Sequence, residues 1–170
     1  MFVESNITPF VVQAESAEQL AAARDLFEAY ANSFSYKLCF QSFADEVATL
    51  PGLYAPPKGG LWIAFNNGVA IGCIALRPLT EDHAELKRLY VHSKARGAGA
   101  GKTLVKTAIH AAARIGYKTI RLDTLPHEMG AAVRLYQSVG FVEISPYMKN
   151  PVEGALCMEL NLTTMKTNLA

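Results

Sequence analysis

The chain has no C-x-x-C pair, no apolar run long enough to cross a bilayer, no long acidic or basic patch and no low-complexity tract. Its three cysteines, Cys39, Cys73 and Cys157, lie far apart among apolar residues. That pattern points away from zinc or dithiol redox chemistry and toward small buried thiols in a reducing compartment. The four histidines, His83, His92, His110 and His127, have no metal-ligand spacing, so no metal is expected. The longest apolar run, 69–76, contains Gly72 and is eight residues long, against the ~20 that a membrane-spanning helix requires. The N-terminal segment carries Glu4 and no basic cluster or continuous apolar stretch, which argues against a secretory signal. Sixteen Lys and Arg against fifteen Asp and Glu leave a net charge of +1. No excess of positive charge exists to hold a nucleic-acid backbone or an anionic membrane. The expectation is a cytoplasmic globular protein without nucleic-acid or membrane partners.

What the chain does have is apolar content, 51% over 170 residues, enough for one core without disulfides or metal. No internal repeat or linker divides it, so residues 1–170 are read as a single domain. Phe10 to Gln13 reads as a strand, and Ser16-Ala-Glu-Gln19 is the S-x-x-Q form of a capping box. The helix it starts carries Leu20, Ala23, Phe27 and Tyr30 on one face as far as about Ala31. A second helix is expected over 42–50, ended by Pro51-Gly52. Strands at 61–65 and 69–76 flank Asn66-Asn67-Gly68, a hairpin signal. Residues 84–91 read as a strand with charges at Glu85, Lys87 and Arg88, hence with one face in a polar site or in water.

A helix then runs to Gly116, with Leu104, Val105, Ala108, Ala112 and Ile115 as its buried stripe. Thr119 to Leu125 is the next strand. Pro126-His127 is read as the start of a further helix bearing Ala132, Leu135 and Val139 and ending at Gly140. The last strands, 141–144 and 156–162, enclose a loop with Pro146, Pro151 and Gly154. The order of elements gives an α/β fold whose mixed sheet is antiparallel early and parallel around 84–125, with helices on both faces.

Between strand and helix lies Val91-His-Ser-Lys-Ala-Arg-Gly-Ala-Gly-Ala-Gly-Lys-Thr103, with glycines at alternate positions. Such a loop exposes backbone N–H groups, and the helix N-terminus behind it adds roughly half a positive charge, so a phosphate or pyrophosphate is its natural guest. Arg96 and Lys102 reinforce the charge. A P-loop would need glycine at position 96, which is Arg96, and a dinucleotide fingerprint would need glycine where Lys102 or Leu104 stands. The spacing that fits is [Q/R]-x-x-G-x-[G/A], met by Arg96, Gly99 and Gly101.

This segment resembles the acyl-CoA loop of the GNAT superfamily of N-acetyltransferases, and Glu85-Leu-Lys-Arg-Leu-Tyr-Val91 is similar to that family's strand leading into it. Ala132-x-x-Leu-Tyr136 followed by Gly140-Phe141 is similar to a second family signature, a helix that carries a tyrosine and ends at Gly-Phe. The resemblance covers roughly 60–162. One departure is Met129, where many members carry Asn. It implies a mostly antiparallel mixed sheet with splayed central parallel strands, and an acyl-CoA loop over about 89–104.

The resemblance also implies roles for single residues. Backbone groups of Leu89 and Val91 pair with the pantetheine arm of acetyl-CoA as an added strand would. The segment Gly97, Ala98, Gly99, Ala100, Gly101 and Lys102, with Arg96, holds the pyrophosphate. A backbone N–H near Val91 stabilises the oxyanion. Tyr136 protonates the departing thiolate. Glu85 is the candidate base for the ammonium proton, or else an ion-paired charge with Lys87 or Arg121. Asp123 is a candidate for binding the acceptor's amine, and Tyr147, Asn150 and Pro151 for covering it. The implied reaction is acetyl transfer from acetyl-CoA, as co-substrate, to the primary amine of a small molecule or peptide. The alternative is a non-catalytic acyl-CoA-binding or sensor module on the same fold, and a third candidate is a degenerate P-loop nucleotidase. Members of the family commonly pair, which leaves a homodimer open.

Overall fold

The computed structural model describes residues 8–35, 40–149 and 152–165. Glu4, Cys39, Asn150 and Pro151 lie outside the described residues.

Local chemistry sets the first elements. After strand β1 (Phe10–Gln13), helix α1 (Ala17–Asn32) opens on the full capping box: Gln19 N–H donates to Ser16 Oγ at 3.1 Å, and Gln19 Oε1 accepts from the backbone of Ser16 at 3.0 Å and of Glu15 at 2.9 Å. Helix α2 is Phe40–Ala48, shifted toward the N-terminus from the expected 42–50. Leu50 lies beyond its end and is buried nonetheless. Strands β2 (Gly60–Asn66) and β3 (Val69–Pro78) are joined by a tight turn with Asn67 at φ 51° and Gly68 at φ 76°. Two successive left-handed residues define the turn that matches strand twist, and Asn-Gly is the pair that adopts it at least cost.

Strand β4 (His83–Val91) leads to helix α3 (Ala100–Ile115), which stops at Gly116 with φ 110°. Strand β5 (Thr119–Thr124), helix α4 (Gly130–Ser138), strand β6 (Val142–Ile144) and strand β7 (Leu156–Asn161) complete the order. The start of α4 corrects the sequence expectation. Pro126 occupies a turn, closed by Glu128 N–H and Met129 N–H on the Leu125 carbonyl at 3.0 and 2.7 Å, and helical geometry begins only at Gly130. Proline presets the second position of a turn as readily as the first of a helix.

The strands form one sheet in the order β1-β2-β3-β4-β5-β7-β6, with β4 and β5 parallel and the other described neighbours antiparallel. Both faces are covered. Leu61, Ile63, Cys73 and Ala75 pack with Leu26 and Phe27 of α1, while Trp62, Ile74 and Leu76 pack with Leu104, Val105 and Ala108 of α3. Burial on both faces is why β2 and β3 read as continuous apolar runs rather than alternating ones. Each such Leu, Ile or Phe contributes about 1.5–3 kcal/mol. Of the expected stripe on α3, Ile115 is only half-buried. Among the described residues no helix is long and apolar enough to cross a membrane.

Two irregularities shape the middle of the sheet. Cys73 pairs with Tyr90 but Ala75 with Lys87, so β4 holds one extra residue and bulges, with Arg88 at φ 61°. The bulge changes the parity of the strand: Leu86 and Leu89 both face the α3 core, and Arg88 turns to the α2 side. The other irregularity is the β4–β5 ladder, which pairs only His83–Glu85 with Thr119–Arg121. Beyond it the two strands separate.

Candidate active site

Where β4 and β5 part, the sheet has a cleft; two cavities follow it and a third adjoins the second. The first, about 540 Å³, is bounded by the end of β4, the glycine-rich loop, the first turn of α3 and the start of α4. Leu89, Val91, Arg96, Gly97, Gly99, Ala100, Gly101 and Lys102 all line it. Ala98 is exposed on the same loop but is not part of that wall. Gly97 (φ 91°) and Gly99 (φ 84°, the N-cap of α3) have left-handed backbones, and a Cβ built on either would meet nothing within 4 Å. Their glycine character is therefore demanded by backbone conformation, and the space before them is open. The N-cap supplies no side chain to the first N–H groups of α3. Open glycines, free helix-end donors and a basic Lys102 fit a pyrophosphate. One detail limits the expected strand pairing: Arg96 Nε donates to the Val91 carbonyl at 3.1 Å, so a guest using that carbonyl must displace Arg96.

The second cavity, about 480 Å³, continues from the first through Tyr30, Leu89 and Met129, which line both. Its walls bring together Tyr136 of α4, Asp123 of β5, and Lys87 and Arg88 of β4, with Phe43 of α2. Tyr136 is buried with its ring 5.5 Å from that of Phe141. Burial, and then Tyr30 and Asp123, push its phenol above the ordinary value, so it stays protonated and able to donate at neutral pH. Met129 stands at the junction, with Thr124 Oγ1 3.9 Å from its sulfur.

Glu85 is at 3% exposure and lines none of these cavities. Its Oε1 accepts from Arg77 at 2.6 and 2.8 Å, its Oε2 accepts from the Tyr147 hydroxyl at 2.7 Å, and Lys87 Nζ stands 4.0 Å away. Burial alone would push this carboxyl up; Lys87, the Tyr147 hydroxyl and Arg77 overcome it and hold the pKa below the ordinary value. Glu85 is thus in direct contact with Arg77, with Lys87 standing farther off. Arg121 instead pairs with Glu159 at 2.7 Å. Tyr147 reaches Glu85 from the loop before β7 and lies under Arg121, 5.8 Å from its ring centre. His92, beside the loop, shares a 3.1 Å hydrogen bond with Tyr90 through Nδ1.

Sequence reasoning missed Arg88 and Glu46. Arg88 donates to Glu46 from Nε at 2.8 Å and from Nη2 at 3.1 Å, and its guanidinium lies 5.5 Å from the Tyr30 ring centre and 5.2 Å from that of Phe43. With Ser42 and Lys87 it lines both the second cavity and a third of about 430 Å³. Adjacent charges at 87 and 88 would point to opposite faces of a regular strand. The bulge brings both to the cleft, and no glycine in the sequence announces it.

The sequence model described as the acetyltransferase (GNAT) family matches residues 20–141. An uncharacterized N-acetyltransferase of Schizosaccharomyces pombe is 36% identical over 165 residues, 96% of this chain and 99% of its own. Another from Dictyostelium discoideum is 27% identical over 198, covering 81% and 91%. Among solved structures, a GNAT-family acetyltransferase from Staphylococcus aureus superposes with a TM-score of 0.76 at 21% identity over 91% of this chain and 99% of that one. The Salmonella typhimurium protein yncA, solved with its cofactor acetyl-CoA, gives 0.68 at 19% identity over 91% and 94%. Likenesses at these identities speak to the fold.

Proposed function

Because the chain belongs to the acetyltransferase (GNAT) family and is on that ground an acyltransferase, we propose that it transfers acetyl from acetyl-CoA to a primary amine by direct attack. The observation that carries this is the alignment of an open, glycine-lined helix end with a strand cleft that leads to a neutral buried tyrosine. Acetyl-CoA, when bound, supplies a thioester carbonyl activated toward amines.

The chain's own residues do the rest. Backbone N–H groups from Gly97 to Lys102 bind the pyrophosphate, and Leu89 and Val91 orient the extended arm along the open edge of β4. Asp123 faces the second cavity and holds the acceptor's ammonium, accepting its proton directly or through water. Glu85, anchored by Arg77 and Tyr147, lies behind Lys87 and serves as a positioning residue for it. The amine nitrogen then forms its bond to the acyl carbon, the carbon–sulfur bond breaks as the Tyr136 hydroxyl gives its proton to the sulfur, and the second proton on the amide nitrogen returns to the Tyr136 phenolate, directly or through water. A backbone N–H near Val91 faces the developing oxyanion.

Thermal-shift and calorimetric titrations with acetyl-CoA, CoA and ATP–Mg²⁺ test the reading on the natural chain and on Gly99→Glu, whose carboxylate would repel a pyrophosphate. Stabilisation by acetyl-CoA that is lost in the variant, with no response to ATP, is the expected result. A natural chain indifferent to acetyl-CoA would end the proposal.

A further inference from the structure

We propose that the acceptor is an amino carboxylate, a small molecule whose primary amine has a carboxylate within a few ångströms of it. The inference rests on the acetyl-transfer reading and specifies the chemical group beside the reacting nitrogen.

It comes from how the charges around the cleft are paired. Arg88 and Glu46 form a closed two-bond pair at 2.8 and 3.1 Å. Arg77 and Glu85 form another at 2.6 and 2.8 Å, and Tyr147 takes the second Glu85 oxygen. Of the charged residues lining the second cavity, Lys87 and Asp123 are left, and they do not close. Lys87 Nζ is 3.8 Å from Asp123 Oδ1 and 4.0 Å from Glu85 Oε1, outside the ~2.7–2.9 Å of a charge-assisted hydrogen bond. Both line the second cavity, with side-chain exposures of 18% and 32%. The wall therefore offers one cation and one anion side by side, each with bonding capacity to spare.

An amine without an anionic group answers only half of this. Its ammonium can sit on Asp123, but it then brings a second positive charge next to Lys87. An amino carboxylate places its ammonium on Asp123 and its carboxylate on Lys87, and replaces one long contact by two short ones. The match improves at the step that matters. Once the ammonium has lost its proton the guest is a net anion, which Lys87 continues to hold while the neutral nitrogen is free to attack. Leu125, Met129 and Val152, also in this wall, provide an apolar seat for the rest of the molecule. A peptide N-terminus offers Lys87 an uncharged amide and is the poorer fit.

The test is a matched series with acetyl-CoA and thiol release as readout: phenylalanine and leucine, their amides, and the corresponding amines without the carboxyl group. The amino acids are expected to exceed both partners in kcat/KM by about tenfold to a hundredfold, the worth of one charge-assisted hydrogen bond. Lys87→Met should remove this preference by raising KM for the amino acids alone, with acetyl-CoA affinity by calorimetry unchanged, and Lys87→Arg should retain it. Three results overturn the inference while leaving acetyl transfer intact: amides or plain amines used as well as amino acids, equal slowing of all substrates by Lys87→Met, or acetyl-CoA binding with no amino carboxylate acetylated. Failure of the natural chain to bind acetyl-CoA overturns the underlying reading as well.

Discussion

Tyr136 shows how a single side chain can be assigned by separating its packing from its proton. The ring contributes to the core beside Phe141, and the residue also lines the second cavity. Tyr136→Phe keeps the ring and removes the hydroxyl, so kcat should fall by about 10²–10⁴-fold, the range for a general acid, while acetyl-CoA affinity and melting temperature stay near those of the natural chain. Stopped-flow or steady-state thiol release measures the first, calorimetry the second. Arg88 is the converse case, a residue whose weight lies in stability. It accepts a left-handed backbone that costs a non-glycine residue about 1–2 kcal/mol, offset by Glu46 and by the rings of Tyr30 and Phe43. Arg88→Met leaves Glu46 without its counter-ion and should destabilise the fold by about 3 kcal/mol. Urea unfolding followed by the fluorescence of Trp62, the single tryptophan and a buried one, reads this directly.

At the scale of elements, the distinction is between structure set by neighbours in sequence and structure set across the sheet. Removing the cap at α1 by Ser16→Ala should cost about 1 kcal/mol, measurable in the same unfolding assay. The glycine at the head of α3 is a different matter, since a Cβ at Gly99 would touch nothing. Gly99→Ala should still lower stability, by about 1 kcal/mol, through the φ of 84° alone. The capping box, the Asn67-Gly68 turn and the glycine-rich loop were legible in the sequence because each is a local pattern with a local cause. The bulge at Arg88 was not. It arises from pairing between β3 and β4, and the Cys73 thiol that donates to the Arg88 carbonyl at 3.3 Å is 15 residues distant. The start of α4 was misplaced for a related reason: Pro126 fits a turn and a helix equally, and the Leu125 carbonyl decides between them by accepting two N–H groups. The loop residues that line the first cavity were marked by their spacing, whereas Arg77 beside Glu85 and Glu46 beside Arg88 depend on tertiary pairing and carry no sequence signal.

For the molecule as a whole, the perturbed groups set a pH window of stability. Glu85 has a folded pKa below its ordinary value, so the stability it contributes is present at neutral pH and is lost as pH falls through the acidic range. Tyr54, Tyr136 and Tyr147 are pushed the other way, each first by burial and the first and last also by their hydrogen-bonded carboxylates, Glu46 and Glu85. Their contribution is complete below the ordinary tyrosine value of about 10 and declines above it, because the unfolded chain ionises first. Melting temperature against pH should show a plateau bounded on both sides. Glu85→Gln should lower the plateau and flatten its acidic edge, while an unchanged acidic edge would remove Glu85 from the account.

The parting of β4 and β5 has one more consequence, concerning self-association. A strand with unpaired backbone groups is a template for any passing chain, and proteins that leave long ones exposed tend to aggregate. Here the outer edges of the sheet, β1 and β6, are four and three residues long. The longer unpaired stretch, on β4, lies in the interior of the sheet, with the first turn of α3 and the start of α4 beside it. Helices on either side of that stretch shield it from a second polypeptide strand. Its place inside the sheet thus withholds the longest run of free β4 backbone from the neighbours with which an open edge would otherwise polymerise.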